Sequence, residues 1–519
     1  MDTVILCACN EYISAKYIRN LFRRIKLHID TQIQTLVEGG RSMKRNIPCN
    51  LEFRVLSEEK REKIHEASLT ILETTGVRMT GERTLRMFQE NGAKVEDGGI
   101  VKIPRIMVEE AVRTLPREVR LYNRDRVLVN SMGPERNIYF GSIAEQLEYL
   151  DYKTNKARRF TREDMKTMCV LQDYLPHIDF TCSVGLIDGV HPSVAGQIGF
   201  IEVVRNYTKG IHVVTSDTNA LKDIVKISQD LVGGKEALIE TPIFLYYAEP
   251  IPPLTHPWES NERAIVCAEN GIPFTYMPYC MMGGTAPIEP AAALAQCNAD
   301  VLVGLVLSQL VRPGTPYVYG AMPSVFDMKS TIGCYGAPEF HLNVAASAEM
   351  AEFYGIPFYG TGTVTDSKFV DIQSISEIEM SLFSSILSRA TIVHDVGLLD
   401  HCRNISPAAI FIANEIIEQL SNYVKGIEVS DDTLLLDVID KVGPGGHFLE
   451  EPTTLKRFKK MWYPKFFRRE MVNPEETDVM ERVIAEVDRI LTTHVPAPLA
   501  PEKEEILRRH EQELLGRNV

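Results

Sequence analysis

Eight short β-rich runs, each followed by a helix-length segment, predict an α/β chain folded as a (β/α)8 TIM barrel with an N-terminal helical cap and a C-terminal helical arm. The runs are IYFGS (138–142), DFTCSV (179–184), IHVVT (211–215), IFLYYA (243–248), FTYMPY (274–279), YVYGA (317–321), FYGTG (358–362) and TIVHD (391–395). Between them lie amphipathic stretches such as ALKDIVKISQDLVGG and FHLNVAASAEMAEFYG, closed by the glycine that helix C-caps favour. Buried parallel strands joined by helices fit either an open doubly wound sheet or a closed barrel. The count of eight, with no GxGxxG after a strand and no Walker loop, favours closure.

In chain order, residues 1–55 read as an N-terminal extension without the basic start and small-residue cleavage pattern of a secretory leader. Met43 opens MKRNIPCNLEFRVLSEEK and is the expected natural start, with a genuine appended helix as the alternative. Residues 56–135 carry helical periodicity in LSEEKREKIHEASLTILETTG and IPRIMVEEAVRTLP, and predict the cap, its first helix beginning at Ser57 and Glu58. Residues 136–470 hold the barrel. Within it ADVLVGLVLSQLV (299–311) is shorter than the ~20 apolar residues of a membrane span, so it reads as a buried barrel helix. Residues 471–519 predict a helical arm of the kind that packs on a neighbouring subunit, and a homo-oligomer is expected.

A net charge of −14 over 519 residues argues against nucleic acid, whose phosphates need a basic surface, and suits either cationic ligands or plain solubility. The ten cysteines are scattered, Cys7 and Cys9 being the one short pair, so neither a zinc ribbon nor a disulfide framework is indicated and a reducing cytoplasm fits.

Catalytic groups of such a barrel come from strand C-termini and the loops after them. Those positions supply Ser142 and Glu145, then Ser183, Asp188 and His191, then Thr215, Ser216 and Asp217, then Glu249. The later strands supply Tyr279 with MMGGTAP, Met322 and Phe326, Thr363 and Asp366, and His394 with Asp395. Tyr246, Tyr247, Tyr276, Tyr279, Tyr319 and Tyr359 crowd the same ends. Aromatic faces beside an acid hold a quaternary ammonium, which offers no hydrogen-bond donor; strand alternation sends some of these rings into the core instead. His394 and Asp395 fit a base with its neighbour, a metal ligand or a structural pair, and alternation places successive strand residues on opposite faces. GPGGHFLEEPTTL (443–455) brings backbone close to an anion or a partner, or simply turns the chain.

MMGGTAP (281–287), GAPEF (336–340), TDSKFVDIQSISE (365–377), HDVGLLD (394–400) and GPGGHFL with EPTTLKRFKKMWYP (443–464) together resemble the trimethylamine methyltransferase family, in order from about Leu56 onward. The resemblance implies a barrel that passes a methyl group from an amine to the Co(I) of a small corrinoid protein, with no cofactor or metal bound by the chain itself. It also implies pyrrolysine inside the barrel of trimethylamine-demethylating members, aligned here with Ile375 or Ser376, where this chain has ordinary residues. A quaternary amine such as glycine betaine, proline betaine or carnitine is then the expected substrate, because its nitrogen is already tetravalent and leaves as a neutral tertiary amine.

On that reading Asp366 and Glu377 supply charge for catalysis, and Tyr279, Tyr319, Tyr247, Glu249, Phe326, Thr363, Gln373, Ser376 and His394 bind the substrate. Asp366 and Asp371 read equally as helix N-caps. Three rivals stand beside it: a barrel that binds quaternary amines as a sensor or scaffold, a methyltransferase of trimethylamine type in family likeness only, and a Schiff-base lyase using Lys329 or Lys368.

Overall fold

The computed structural model describes residues 49–517 except 52, 134–136, 144, 145, 216 and 470–477. The start at Met43 and the mouth residues Glu145 and Ser216 lie outside the described residues.

All eight predicted strands form: β1 (Tyr139–Phe140), β2 (Phe180–Thr181), β3 (Gly210–Val213), β4 (Leu245–Ala248), β5 (Phe274–Tyr276), β6 (Tyr317–Gly320), β7 (Phe358–Thr361) and β8 (Ile392–His394). They pair in that order in one eight-stranded parallel sheet. β8 returns to β1 through Ile392 opposite Tyr139, and a parallel bridge from Gly141 to Phe180 closes the ring. A Cβ on Gly141 would sit 2.1 Å from the Phe180 carbonyl oxygen, so the seam closes only around glycine. Every residue of β1–β8 is buried, which is why the strands read as continuous apolar runs rather than alternating ones.

The helices follow their strands: α1 (Arg162–Tyr174), α2 (Pro192–Asn206), α3 (Thr218–Val232), α4 (Trp258–Glu269), α5 (Pro290–Val311), α6 (Pro338–Tyr354), α7 (Ile372–Leu387) and α8 (Pro407–Tyr423). Proline occupies the first turn of α2, α5, α6 and α8, where its missing N–H costs nothing. Capping boxes at Thr161 and Asp371 open α1 and α7. Left-handed Gly233 and Gly355 end α3 and α6.

Three expectations change. The cap is mixed rather than helical: helices Glu58–Thr70, Glu82–Glu90 and Arg105–Thr114 alternate with three-residue strands at Val77–Met79, Lys94–Glu96 and Ile100–Lys102, too short to show a period in sequence. It lies along the flank of the barrel, where Glu58–Thr70 and Arg105–Thr114 pack on α5. That cover explains why α5 is apolar on all sides; it is long and apolar enough to cross a membrane but 89% buried inside the protein. The arm, helices Val479–Thr493 and Pro501–Leu515, spends its apolar face on its own barrel, against α1, α2, α3 and α8, with Val483, Val487, Ile490 and Leu507 fully buried. Residues 427–463, inside the expected barrel span, instead form a separate run of short helices beyond α8.

One carboxyl in this packing predicts a pH dependence. Burial, then the neighbouring charge of Glu418, pushes Glu415 on α8 up to about 7. Burial acts the same way on Glu418, but His177 and Lys465 overcome it and hold that carboxyl down to about 2. The folded state therefore keeps an extra proton on Glu415 as pH rises from the ordinary glutamate value, and stability falls across that window. Glu415→Gln should melt at higher temperature than the parent chain above neutral pH and show no such advantage at mildly acidic pH, by calorimetry.

Candidate active site

At the C-terminal end of the barrel, the TGTVTDSKFVDIQSISE stretch ties three loops together. Asp366 accepts the backbone N–H groups of Tyr335 (2.8 Å) and Gly336 (3.0 Å), one on each carboxylate oxygen, and so fixes the loop after β6. His401, from the loop after β8, lies 3.0 Å from Asp366 Oδ1 and 3.2 Å from the Gly333 carbonyl oxygen. Both neighbours are acceptors, so His401 Nδ1 carries the proton. Glu377 accepts the Thr365 hydroxyl, the Asp366 N–H (2.8 Å) and the Gln373 amide (2.9 Å). Its carboxyl fills the space that a Cβ on Gly336 would need, 2.6 Å away.

Thr363, in the left-handed region at φ 71°, donates its hydroxyl to the Asp395 carbonyl (2.7 Å), and its N–H goes to Ser381 on α7 (2.7 Å). Asp371 is the N-cap of α7; Asp366 is not a cap.

Beneath this knot, the barrel lumen holds a floor of rings. Tyr359 and His394 lie 4.9 Å apart, Tyr247 is 5.7 Å from Tyr359 and 5.8 Å from His394, and His212 bonds the Tyr359 hydroxyl at 2.8 Å while stacking on Phe180. Burial and the His394 charge pull the His212 imidazole well below its usual range, leaving it neutral.

Strand alternation fails at His394 and Asp395. Asp395 adopts φ 76° and folds back, so that its Oδ2 lies 3.1 Å from His394 Nε2 and accepts the Thr361 hydroxyl at 2.6 Å. His394 Nδ1 donates to the Gly360 carbonyl (2.5 Å). A hydrogen bond across the Nε2–Oδ2 gap then needs one proton on one of the two atoms, and the pair is neutral as a unit. Burial raises the Asp395 carboxyl against the pull of His394 and Thr361.

Above the floor, Glu249 borders open space yet is enclosed by the barrel walls, and loss of bulk water raises its carboxyl although the Tyr247 phenol bonds it and Arg263 opposes the shift. Tyr279 and Tyr335 stack at 5.8 Å with planes 13° apart. Cys402 bonds Tyr335 and feels the charges of Asp395, Asp366 and Glu249; burial and these carboxyls push the thiol well up, so it is protonated and no nucleophile. Asp400, His401 and Cys402 are consecutive left-handed residues, held by the Asp400 N–H on the Ser367 carbonyl (2.8 Å).

The structure thus brings Tyr247, Glu249, Tyr279, His394 and Asp366 to one hollow. Tyr319 does not reach it: the ring faces the helix layer, its hydroxyl 2.8 Å from Asn298 on α5. Tyr246 and Tyr276 likewise bond the Thr215 carbonyl and Asn261. Phe326 is half-buried on a rim hairpin, Met322–Asp327 with Ile332–Cys334, that pairs with Tyr279–Met282. Gln373 supports Glu377, and Ser376 lies on the exposed face of α7. Lys329 and Lys368 are exposed, unlike a Schiff-base lysine, which needs desolvation. Tyr335, Cys402 and His401 were not anticipated; the hairpin after Phe326 returns the chain to the mouth, and only its turn residues Asp327-Met328-Lys329-Ser330 hint at that in sequence.

The profile of the trimethylamine methyltransferase (MTTB) family matches residues 27–512. The chain belongs to this family. It is 30% identical to the trimethylamine methyltransferase MttB of Desulfitobacterium hafniense (strain DSM 10664 / DCB-2), over 86% of this chain and 91% of that protein. It is also 30% identical to the glycine betaine methyltransferase of Desulfitobacterium hafniense (strain Y51), over 87% and 95%. The crystal structure of the Methanosarcina barkeri monomethylamine methyltransferase MtmB shares 13% identity at a TM-score of 0.44, over 89% of this chain and 93% of that one.

As an MTTB-family methyltransferase the chain departs from the expected alignment at one point. Ile375 and Ser376 were placed inside the barrel, but both sit on α7 in the helix layer, Ile375 half-buried against the core and Ser376 exposed. The lumen-facing residues of that unit are Tyr359 and Thr361. All 519 residues are of the common twenty, so no pyrrolysine occurs elsewhere in the chain either.

Because both Asp366 oxygens hold backbone amides, Asp366→Ala strands two part-buried donors at a cost of up to about 1 kcal/mol each. Hydrogen exchange should show the Tyr335 and Gly336 amides losing protection by at least about tenfold, while amides in β1–β8 keep theirs.

Proposed function

We propose that this methyltransferase takes a methyl group from a quaternary amine and passes it to the Co(I) of a corrinoid held by a separate small protein. The observation that carries the reading is the barrel mouth, where the rings of Tyr247, Tyr279 and Tyr335 gather near Glu249, a residue open to solvent on one side whose carboxyl is raised by loss of bulk water. Asp366 and Glu377 have their oxygens committed to the loops, and Asp395 shares a proton with His394. Of these four carboxyls, all among the described residues, Glu249 is the one with space beside it. The Tyr247 phenol bonds its carboxyl, and a fixed cation supplies the counter-charge that a partly desolvated carboxylate favours.

Aromatic faces add about 2 kcal/mol for a desolvated ammonium and suit N-methyl groups that offer no hydrogen bond. In the transfer, the nitrogen–carbon bond breaks with its electron pair staying on nitrogen, which leaves as a neutral tertiary amine; the cobalt pair forms the new bond to the methyl carbon. No proton moves. The chain's task is therefore to orient one N-methyl toward the mouth and to keep water out, rather than to supply an acid or base. Asp366 and Glu377 act as positioning residues, with Thr363 and Gln373. The similar glycine betaine enzyme of Desulfitobacterium hafniense supports a quaternary substrate, as does the lack of pyrrolysine. Betaines and carnitine are the substrates to try first, in a cytoplasmic setting where Co(I) survives.

Purified chain, a Co(I) corrinoid protein and a panel of quaternary amines should yield methyl-cobalt absorbance with at least one of them. Silence across the panel overturns the reading, and calorimetric binding without transfer would assign a binding barrel instead.

A second measurement follows from Glu249. Its carboxyl titrates above the ordinary value of 4.5, so amine affinity should fall as pH drops through a window higher than that of a free glutamate. Glu249→Gln should weaken binding by about 10- to 100-fold and flatten this dependence, both read by calorimetry.

A further inference from the structure

The run of short helices after α8 is at odds with the rest of the surface. α8 runs antiparallel to β8, so its end at Tyr423 lies at the foot of the barrel, where the Val424 carbonyl accepts the Asn50 N–H at 2.8 Å. From there Asp431–Leu434, Leu436–Val442 and Pro452–Arg457 fold on one another. Arg457 reaches Asp432 (2.9 Å) and Lys441 reaches Glu451 (2.9 Å) within the unit. Leu434, Val438, Ile439, Phe448, Phe458 and Met461 line a groove of about 400 Å³. Met461 in its lining exposes 73% of its surface, and Ile427 earlier in the same segment 92%. A contiguous apolar face of this kind marks an interface.

Charge says what covers it. Within the unit, residues 428–451 hold seven acidic side chains and one basic, while residues 456–463 hold four basic and none acidic. The unit is thus split into opposite halves about an apolar groove, with the GPGGH turn between them. A two-fold axis lays each half on the opposite half of a second copy, the self-complementary pattern an isologous contact requires. The unit begins at the foot, away from the mouth that a carrier delivering cobalt must reach.

We propose that residues 427–463 form the contact between two copies of this chain, groove against groove, with Lys456, Lys459 and Lys460 of one copy facing Glu428, Asp431 and Asp437 of the other. All six side chains are exposed in the single chain.

Sedimentation of the full chain tests this. The parent should form a dimer that weakens with salt. The triple variant Lys456→Glu, Lys459→Glu, Lys460→Glu should raise the dimer dissociation constant at least about tenfold, and so should Glu428→Lys, Asp431→Lys, Asp437→Lys. Mixing the two variants should restore a dimer, which a misfolded variant would not do. A parent that stays monomeric, a dimer indifferent to either variant, or a mixture that fails to pair would each overturn the proposal.

Discussion

A carboxyl that loses part of its water must find a proton, a set of hydrogen bonds or a cation, and the mouth of this barrel holds four such groups, from exposed Glu249 to buried Asp395. Each meets the constraint differently. Glu377 and Asp366 take backbone amides and hydroxyls, and in doing so set the course of the loops after β6 and β7. Asp395 takes a proton shared with His394 and the Thr361 hydroxyl. Glu249 has the Tyr247 phenol and the distant charge of Arg263, which leaves most of its demand unmet. The least satisfied of the four, Glu249, stands between the committed carboxyls of the rim and the proton-sharing pair of the floor, beside Tyr247. A site for a cation is the arrangement that resolves the series.

Holding the rim in this shape costs backbone energy. Thr363, Asp395, Asp400, His401 and Cys402 are all left-handed, at φ between 49° and 76°, and such residues cost about 1–3 kcal/mol each. The bonds from Thr363 to the Asp395 carbonyl, from Asp400 to Ser367 and from His401 to Thr365 offset that cost, and each crosses between the loops after β7 and β8. Strain and cross-links are therefore one feature. Neither loop holds its conformation without the other, and a methyl transfer that depends on orientation more than on proton movement gains from a rim fixed in this way.

Much of the barrel was legible in the sequence because its strands are buried on both faces and carry their signal in composition, as in IFLYYA and FTYMPY. The same property hides the site. A fully buried strand gives no alternation, so Tyr246 and Tyr247 look alike although one bonds the Thr215 carbonyl beneath α3 and the other forms the lumen floor. Asp395 was set aside by the alternation rule and recovered by a single left-handed residue, which aspartate tolerates better than most and which no pattern announces. Tyr335 reaches the mouth only because a hairpin doubles the chain back across more than ten residues. The strands of the flanking cap, three residues each, fall below the length at which any period can be read.

The two ends of the molecule divide its surface chemistry. A net charge of −14 disfavours contact between two copies unless basic residues meet acidic ones, and the densest basic run in the chain, KRFKKMWYPKFFRR, begins in the unit after α8 and ends beyond it, where Phe466 packs on Phe411. The long-range field that keeps these chains apart thus also selects the face by which two of them meet, since like charge elsewhere penalises other orientations. Assembly through this unit uses carboxylates other than those of the mouth, and the mouth's own carboxyls remain to draw a positive substrate inward. Separation of the two faces lets one chain hold a partner copy and a cationic ligand at once without either competing for the same carboxylates.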